Sequence, residues 1–138
     1  MSEDNKAITR RAYEAMNAGD FDTLRDLVAD NFVEHEEMPG VPPTKEGVLE
    51  YFKTMRDAFS DFAMNIEDIG AEGDKVFVRV RMVGKHKGEF MGIPATGNQL
   101  DVPTADVLRF ENGKVVEHWG VTDSGAMLMQ MGVVEMPG

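Results

Sequence analysis

The feature that most constrains the fold is a change in hydrophobic period close to residue 62. Before it, apolar side chains recur every three or four residues, as they do on one face of an α-helix. After it, apolar and polar residues alternate, most regularly in "KVFVRVRMV" (75–83), and alternation indicates β-strands with one buried face. Helices followed by strands predict an α+β fold in which three N-terminal helices pack on one face of a mainly antiparallel sheet.

Three helices are predicted in the first half of the chain. The first covers Asp4 to Ala18, the second begins after Asp20 and includes Val28 in its apolar stripe, and the third begins after Thr44. Aspartate and threonine both accept hydrogen bonds from the free N–H groups at the start of a helix. Between the second and third helices, "NFVEHEEMPGVPP" (31–43) has three prolines within five residues, so it is predicted to be irregular extended chain.

The second half is predicted to be a sheet built from hairpins. Alternation begins at Phe62, and the pair Asn112-Gly113 is a strong signal for a two-residue β-turn. A glycine-rich excursion (88–98) joins two strands, and glycine suits turns that need positive φ. A short helix from about Gly125 to Met131 closes the predicted single domain (1–138). A strongly curved sheet can wrap around the helices and enclose a pocket.

Charge and composition exclude several classes of partner. The 138 residues carry a formal net charge of −11, which argues against nucleic acids and anionic membranes because both require a basic surface. The polar N-terminus is unlike a secretory signal and no apolar run approaches the ~20 residues of a membrane span, so a cytoplasmic location is expected. The absence of cysteine excludes disulfides and thiolate chemistry. The 11 methionines suit either ordinary core packing or an adaptable apolar cavity.

An ordered set of motifs resembles one known family. The motifs are, in order, Gly84-x-His86-x-Gly88-Glu89-Phe90-x-Gly92, Pro94-x-Thr96-Gly97, Arg109-Phe110-x-x-Gly113-Lys114, Glu117-His118-Trp119, Asp123 and Gln130-x-Gly132. Together with "VEHEEMPG" (33–40), they resemble the SnoaL-like polyketide (ester) cyclase family of the NTF2-like superfamily, over roughly residues 5–132. The resemblance implies a cone-shaped α+β fold, a curved sheet around a deep apolar pocket, and commonly a homodimer formed through the sheets.

The resemblance also implies a reaction. It is an intramolecular aldol condensation on an apolar, carbonyl-bearing small molecule, in which a proton leaves a carbon flanked by carbonyl groups. Because those carbonyls spread the negative charge of the carbanion, no metal or organic cofactor is expected. The protein must supply a base near the C–H bond and a donor for the oxygen that gains charge.

Asp123 is the candidate acid–base residue. Many relatives read His-Trp-Asp-x-x-Asp, whereas this chain has Gly120 in place of the first acid, so Asp123 is the only carboxylate of that stretch able to carry the role. A carboxylate in an apolar pocket becomes a better base because its pKa rises toward the working pH. The alternative is structural, since Asp123 or Ser124 could be the N-cap of the closing helix. The resemblance favours catalysis, and the local sequence favours the cap.

Two histidines are candidates for an electrostatic role beside that acid. His118 could donate to the developing oxyanion or hold Asp123, and His35 lies in an irregular segment of the kind that often presents functional groups. Alternation along a strand places positions 118 and 123 on opposite faces. Either the strand bulges near Gly120, or His118 does not share a pocket with Asp123. The alternative for His118 is a sheet-face residue at a dimer interface.

Apolar side chains are candidates for the wall of the pocket. Trp119 could offer a flat surface to a planar polyketide ring, and Val121 lies on the same strand face as Trp119. Phe59 and Met55 follow the apolar pattern of the third helix. The alternative for Trp119 is packing in the core or at an interface.

Asp106 is a candidate second acid of the pocket. An acid among apolar strand residues costs free energy unless it is paired, and an ion pair with Arg79 or Arg81 is the preferred structural explanation. The histidines and acids show no His-x-x-x-His pattern or close carboxylate pairing, so no metal site is predicted.

Three functions remain open from the sequence. The leading hypothesis is a cofactor-independent cyclase or lyase. A ketosteroid isomerase-like or epoxide hydrolase-like enzyme is the second, since related folds place different polar groups in the same cone. A non-catalytic small-molecule carrier or dimeric interaction module is the third, and the missing acid at Gly120 is its best support.

Overall fold

A computed structural model describes residues 2–133 as four helices and five strands. The helices are α1 (Ser2–Ala18), α2 (Phe21–Leu27), α3 (Lys45–Ala58) and α4 (Ser124–Gln130). The strands are β1 (Val28–Glu34), β2 (Phe59–Glu72), β3 (Lys75–His86), β4 (Gln99–Glu111) and β5 (Lys114–Thr122). The predicted α+β fold class is confirmed. Within these residues, no helix is long and apolar enough to cross a bilayer.

The two predicted N-caps, Asp20 and Thr44, are also found. The Asp20 side chain accepts a hydrogen bond from the Thr23 N–H at 3.1 Å, and the Thr44 hydroxyl accepts one from the Gly47 N–H at 3.2 Å. Each bond satisfies a backbone donor that the helix itself leaves free. α1 lies against β2 and β3, and α3 lies against β1 and β2.

The strands form one curved sheet in the order β1-β5-β4-β3-β2. All neighbouring pairs are antiparallel except β1 with β5, which are parallel. The pairing register shifts twice between β2 and β3 and once between β4 and β5. Such bulges bend a strand and increase its twist, so the sheet curves and its concave face turns toward the helices.

β1 differs from the sequence prediction, which extended the second helix through Val28 and treated 31–43 as irregular. α2 ends at Leu27, and Val28 is already extended, with φ −107° and ψ 131°. The first of the prolines, Pro39, lies five residues after the end of β1, so the prolines do not interrupt the strand. Its pairing with β5 is a contact between distant parts of the chain, which local patterns do not report. The second strand likewise begins at Phe59, three residues before the predicted start.

β4 separates its side chains cleanly between the two faces of the sheet. Its even-numbered residues from Leu100 to Phe110 are buried, and its odd-numbered residues are exposed or half-buried. Among the even-numbered residues, Thr104 and Asp106 are polar. The turn into β5 is the predicted one, because Asn112 and Gly113 both have positive φ, as a type I′ turn requires. The β4–β5 hairpin thereby fixes which residues face inward.

Candidate active site

The sheet and the helices enclose a cavity of about 580 Å³. Its wall is mainly apolar, and eight of the chain's 11 methionines line it. They are Met16, Met38, Met55, Met64, Met82, Met91, Met127 and Met131. Because methionine is flexible and polarizable, such a wall adapts to ligands of irregular shape. The volume lies in the range that binds small organic molecules.

Three ionisable side chains meet at the wall of this cavity, and we call Glu34, Asp106 and His118 the inner cluster. Asp106 belongs to the buried row of β4, and His118 lies on β5 one diagonal step away. His118 Nε2 donates to Asp106 Oδ1 at 2.9 Å. On the other side, β1 pairs with β5 so that Glu34 faces His118, and the Glu34 carboxylate accepts a hydrogen bond from His118 Nδ1.

The His118 ring is cationic at neutral pH. Burial opposes its charging and is the largest single influence, but the hydrogen bonds and charges of Asp106 and Glu34 outweigh burial and raise the pKa of His118 to about 10. Both ring nitrogens donate only in the protonated form, which agrees with a carboxylate on each side. The inner cluster is therefore an imidazolium held between two acids, and only 16% of the His118 side chain is exposed.

Tyr13 of α1 contacts the inner cluster from the helix side. Its hydroxyl donates to Asp106 Oδ2 at 2.6 Å. Burial, followed by the charge and the hydrogen bond of Asp106, raises the pKa of Tyr13 well above its ordinary value. Both oxygens of Asp106 thus accept a hydrogen bond, one from the sheet and one from a helix. The carboxylate of Asp106 is fixed in position within the cavity wall.

Glu36 is a further acid of the same cavity. It lies two residues after the end of β1, and its carboxylate accepts a hydrogen bond from the Thr122 hydroxyl at 3.0 Å. The side chain occupies space that Gly120 leaves open, because a methyl group on Gly120 would overlap Glu36 Oε1 and come within 2.8 Å of Asp106 Oδ1. A side chain at position 120 would therefore displace the Glu36 carboxylate from its place beside Thr122.

Glu36, Asp106 and His118 also lie close enough together to be considered as ligands of a metal ion. Their ligand atoms lie within 4.8 Å of one another. Both His118 nitrogens, however, carry protons that are donated to carboxylates. A ring in that state has no lone pair for a metal ion, so metal binding would first require loss of a proton. The prediction of no metal site rested on local spacing and did not consider residues that approach from three different elements.

Asp123 lies outside the cavity. Its side chain is exposed and accepts a hydrogen bond from the Ala126 N–H at 2.9 Å, as the N-cap of α4. β5 is regularly paired at Gly120, so it has no bulge there, and His118 faces the cavity while Asp123 follows the end of the strand. Of the two alternatives that the sequence left open, the structure has the one in which His118 and Asp123 do not share a pocket.

His35, Trp119 and Val121 lie on the opposite, outer face of the sheet. The His35 ring stacks on Trp119 with centroids 4.8 Å apart, and its Nε2 donates to Glu117 Oε2 at 2.8 Å. Arg109 donates to the other Glu117 oxygen. We call His35, Arg109, Glu117 and Trp119 the outer cluster. None of its members, nor Val121, lines the cavity.

The remaining predicted residues divide between cavity and core. Met55 lines the cavity, whereas Phe59 is buried behind it and packs on His86 and Phe90. Asp106 lines the cavity as predicted, but its partners are not the predicted arginines. Arg79 pairs with Asp68 and Arg81 with Asp101, because odd-numbered residues of β3 face outward and cannot reach the cavity.

Sequence reasoning missed Tyr13, Glu34 and Glu36. A signal for the two glutamates was present, since Phe32, Glu34 and Glu36 alternate with Val33 and His35 in the period of a strand. The prolines that follow concealed it. Tyr13 adjoins the apolar face of α1, but nothing in the local sequence distinguishes it from an ordinary core residue.

A model of the SnoaL-like polyketide cyclase family matches residues 6–131. The aklanonic acid methyl ester cyclase AcmA of Streptomyces galilaeus is 30% identical over 139 residues, covering 96% of this chain and 92% of AcmA. DauD of Streptomyces sp. (strain C5) is also named an aklanonic acid methyl ester cyclase. It is 26% identical over 129 residues, covering 91% of this chain and 80% of DauD.

Two solved structures carry the same fold. IdmH of Streptomyces antibioticus, described as a candidate polyketide cyclase, superposes with a TM-score of 0.81 at 35% identity, covering 94% of this chain and 99% of IdmH. AclR of Streptomyces galilaeus, described as a candidate hydroxylase, superposes with a TM-score of 0.87 at 28% identity, covering 98% and 100% of the two chains. Family motifs, relatives and fold agree, and the chain belongs to the SnoaL-like polyketide cyclase family.

Proposed function

We propose that the protein is a cyclase that closes a ring by an intramolecular aldol reaction on an apolar, carbonyl-bearing small molecule, without a cofactor. The observation that carries the proposal is the inner cluster, a charged group set into the wall of an apolar, methionine-lined cavity. Charged groups are expensive to bury and persist where they are paired and used. The relatives AcmA and DauD are both named as cyclases of aklanonic acid methyl ester.

Asp106 is the proposed base. A carboxylate offers about four lone-pair positions, and the hydrogen bonds from His118 and Tyr13 occupy two of them. A lone pair therefore remains for a proton from carbon. The two donors also hold the carboxylate in one orientation, so a bound substrate meets a base that is already positioned.

The His118 imidazolium supplies the electrostatic part of the mechanism. Asp106 removes a proton from the carbon between two carbonyls, and the electron pair spreads into them as an enolate. The enolate carbon attacks a ketone carbon of the same molecule, one C–C bond forms, and the carbonyl π electrons move to the ketone oxygen. That alkoxide takes up one proton, so the product is an isomer of the substrate. A fixed positive charge beside the cavity stabilises each anion along this path.

The experiment compares Asp106→Asn with Asp123→Asn, using aklanonic acid methyl ester as the probe. Loss of a general base reduces turnover by about 100- to 10,000-fold, so we expect that loss for Asp106→Asn. Asp123→Asn should keep nearly full turnover because asparagine is an equally good N-cap. Circular dichroism and urea unfolding of both variants should be used to check that each is folded under the assay conditions.

The other outcomes assign the site differently. Loss of turnover in Asp123→Asn alone would return the acid–base role to Asp123. Tight binding of the probe by the wild-type protein without turnover would identify a carrier and defeat the cyclase proposal.

We also propose that the outer face of the sheet forms a homodimer. Exposed apolar side chains gather on it, among them Val121 at 73%, Phe77 at 43% and Val33 at 42% exposure. Large apolar side chains that are exposed together on one face are typical of an interaction surface. Sedimentation velocity of the wild-type chain and of Val121→Arg tests this: the wild type should sediment as a dimer and the variant as a monomer.

A further inference from the structure

We infer that Glu36 is a second catalytic residue of the cavity, which donates a proton to the alkoxide formed at ring closure. This inference rests on the proposed aldol function and adds a proton donor to it. In the mechanism above, Asp106 accepts the proton from carbon, but the alkoxide needs a proton at a different atom of the substrate. A second carboxyl group on the same cavity wall supplies it.

Three contacts position the Glu36 side chain. Its backbone N–H donates to Glu34 Oε2 at 3.0 Å, which ties the residue to the inner cluster. Glu36 Oε2 accepts from the Thr122 hydroxyl at 3.0 Å. Oε1 lies over Gly120, in the space that a Cβ atom at that position would occupy. Oε2 therefore serves as the acceptor of a fixed hydrogen bond, and Oε1 is the oxygen left to carry a proton.

The position of Glu36 relative to Asp106 suits two groups that act on one substrate. Ligand atoms of Glu36, Asp106 and His118 lie within 4.8 Å of one another, and all three residues line the cavity. A substrate that presents its acidic carbon to Asp106 can thus present its ketone oxygen to Glu36. Glu36 and Asp106 are not hydrogen-bonded to each other, so the carboxyl group of each remains available to the ligand.

The electrostatic surroundings keep Glu36 protonated to higher pH than an ordinary glutamate. Burial is the main cause of the raised pKa of Glu36, and the charges of Asp106 and Glu34 raise it further. The Thr122 hydrogen bond and the positive charge of His118 act in the opposite direction. Other titratable groups that sense Glu36 are Tyr13 and Tyr51. A neutral carboxylic acid in an apolar site is a good hydrogen-bond donor to a developing oxyanion.

The proton balance closes over one turnover. Asp106 gains the proton from carbon, and the Glu36 O–H bond breaks as its proton passes to the alkoxide. The site is then left with a protonated Asp106 and an ionised Glu36. Transfer of one proton from Asp106 to Glu36, across a gap that a single water can bridge, restores the starting state. No oxidant, reductant or other reactant is needed.

The test measures turnover of aklanonic acid methyl ester as a function of pH in Glu36→Gln and Thr122→Val. Glutamine keeps the size of the side chain but has no transferable proton, so kcat should fall about 100-fold with little change in KM. The wild-type rate should decline as pH rises through the Glu36 pKa, and this decline should be absent from Glu36→Gln. Thr122→Val removes a contact that lowers the pKa, so the decline should move to higher pH.

Glu50→Gln is the matched control, because Glu50 is an exposed glutamate of α3 outside the cavity. It should keep the wild-type rate and pH profile. A Glu36→Gln variant with the wild-type rate, or an alkaline decline that neither variant moves, overturns the role of Glu36. Failure of the wild-type protein to cyclise the probe defeats the proposed function instead, so the two failures are distinguishable.

A carboxyl titration by ¹³C NMR gives a readout that does not depend on turnover or on the folding of Glu36→Gln. In the wild-type protein, Glu36 should titrate above the ordinary value of 4.5, and higher again in Thr122→Val. A Glu36 carboxyl that titrates at or below the ordinary value overturns the inference.

Discussion

The two faces of β5 carry clusters of the same chemistry in opposite surroundings. The inner cluster sets His118 between Asp106 and Glu34, and the outer cluster sets His35 beside Glu117 and Arg109. In each, an imidazole donates to a carboxylate. The inner acids are 4% and 5% exposed, whereas 25% of Glu117 and 37% of His35 remain exposed.

Burial, more than residue type, separates the two clusters. Inside, the low polarity strengthens the attraction between ring and carboxylates, and the pKa of His118 rises to about 10. Outside, solvent screens the same contacts, and the main consequence is that Arg109, followed by His35, lowers the pKa of Glu117. A histidine–carboxylate pair is thus informative about function only when its face of the strand is known.

The prediction with the largest expected effect concerns the removal of each histidine. His118→Gln leaves two buried acids without their cation, and breaking a buried charged group in this way costs about 3–5 kcal/mol. His35→Gln removes a contact at the surface, where substitutions usually have small effects. Urea unfolding at neutral pH should therefore show a large loss of unfolding free energy for His118→Gln and a small one for His35→Gln.

Equal losses in the two variants would contradict the comparison. They would mean that the outer contacts are as important for stability as the inner ones, and that exposure does not separate the clusters. The exposure of His35 is that of the single chain, and the proposed dimer would cover the outer face, so both variants should be compared at protein concentrations low enough to keep the chain monomeric.

The alternation of side chains between the two faces of a strand made part of the inner cluster predictable from the sequence. Alternation placed Asp106 among buried residues, and it assigned His118 and Asp123 to opposite faces unless the strand bulged near Gly120. Asp106 and His118 were both candidates from the sequence. That they contact each other was not predictable, because the contact depends on the register between β4 and β5 on the cavity face.

The rest of the site depends on contacts that local patterns do not contain. Glu34 and Glu36 were missed because the prolines after them suggested irregular chain, although the strand before those prolines pairs with β5 across more than 80 residues of sequence. Asp123 illustrates the opposite problem. An N-cap and a catalytic acid can both be aspartate, so the residue type does not distinguish the two roles. The structure distinguishes them, because β5 ends before Asp123 and α4 begins directly after it.

The second test concerns the pH dependence of stability. The folded-state pKa of His118 is raised from 6.5 to about 10, so its contribution is fully present below about pH 6.5 and is lost as pH rises toward 10. Between pH 7 and pH 9 the unfolded chain is largely without this proton, whereas the folded chain keeps it. The unfolding free energy should therefore fall by about 2 kcal/mol over that range.

The two histidine variants again provide the contrast. His35→Gln should keep the decline in unfolding free energy from pH 7 to pH 9, and His118→Gln should largely lose it. A decline that persists in His118→Gln would assign the titrating group to another residue and would remove the evidence for a buried imidazolium.

The smallest of the three effects concerns the helix side of the inner cluster, which has no counterpart on the outer face. Tyr13→Phe removes the 2.6 Å hydrogen bond to Asp106 and leaves the packing of the ring intact, so unfolding free energy should fall by about 1–2 kcal/mol. Tyr51→Phe is the matched control, since Tyr51 lines the same cavity and is the other tyrosine of the chain.

Tyrosinate absorbance, measured in the two variants, distinguishes the ionisation of Tyr13 from that of Tyr51. Burial, with the charge of Glu36, raises the pKa of Tyr51 to about 12, and burial with Asp106 raises the pKa of Tyr13 well above its ordinary value. Tyr51→Phe should then show no tyrosinate until the protein unfolds. Ionisation of Tyr13 before unfolding in that variant would mean that the hydrogen bond to Asp106 does not retain the Tyr13 proton.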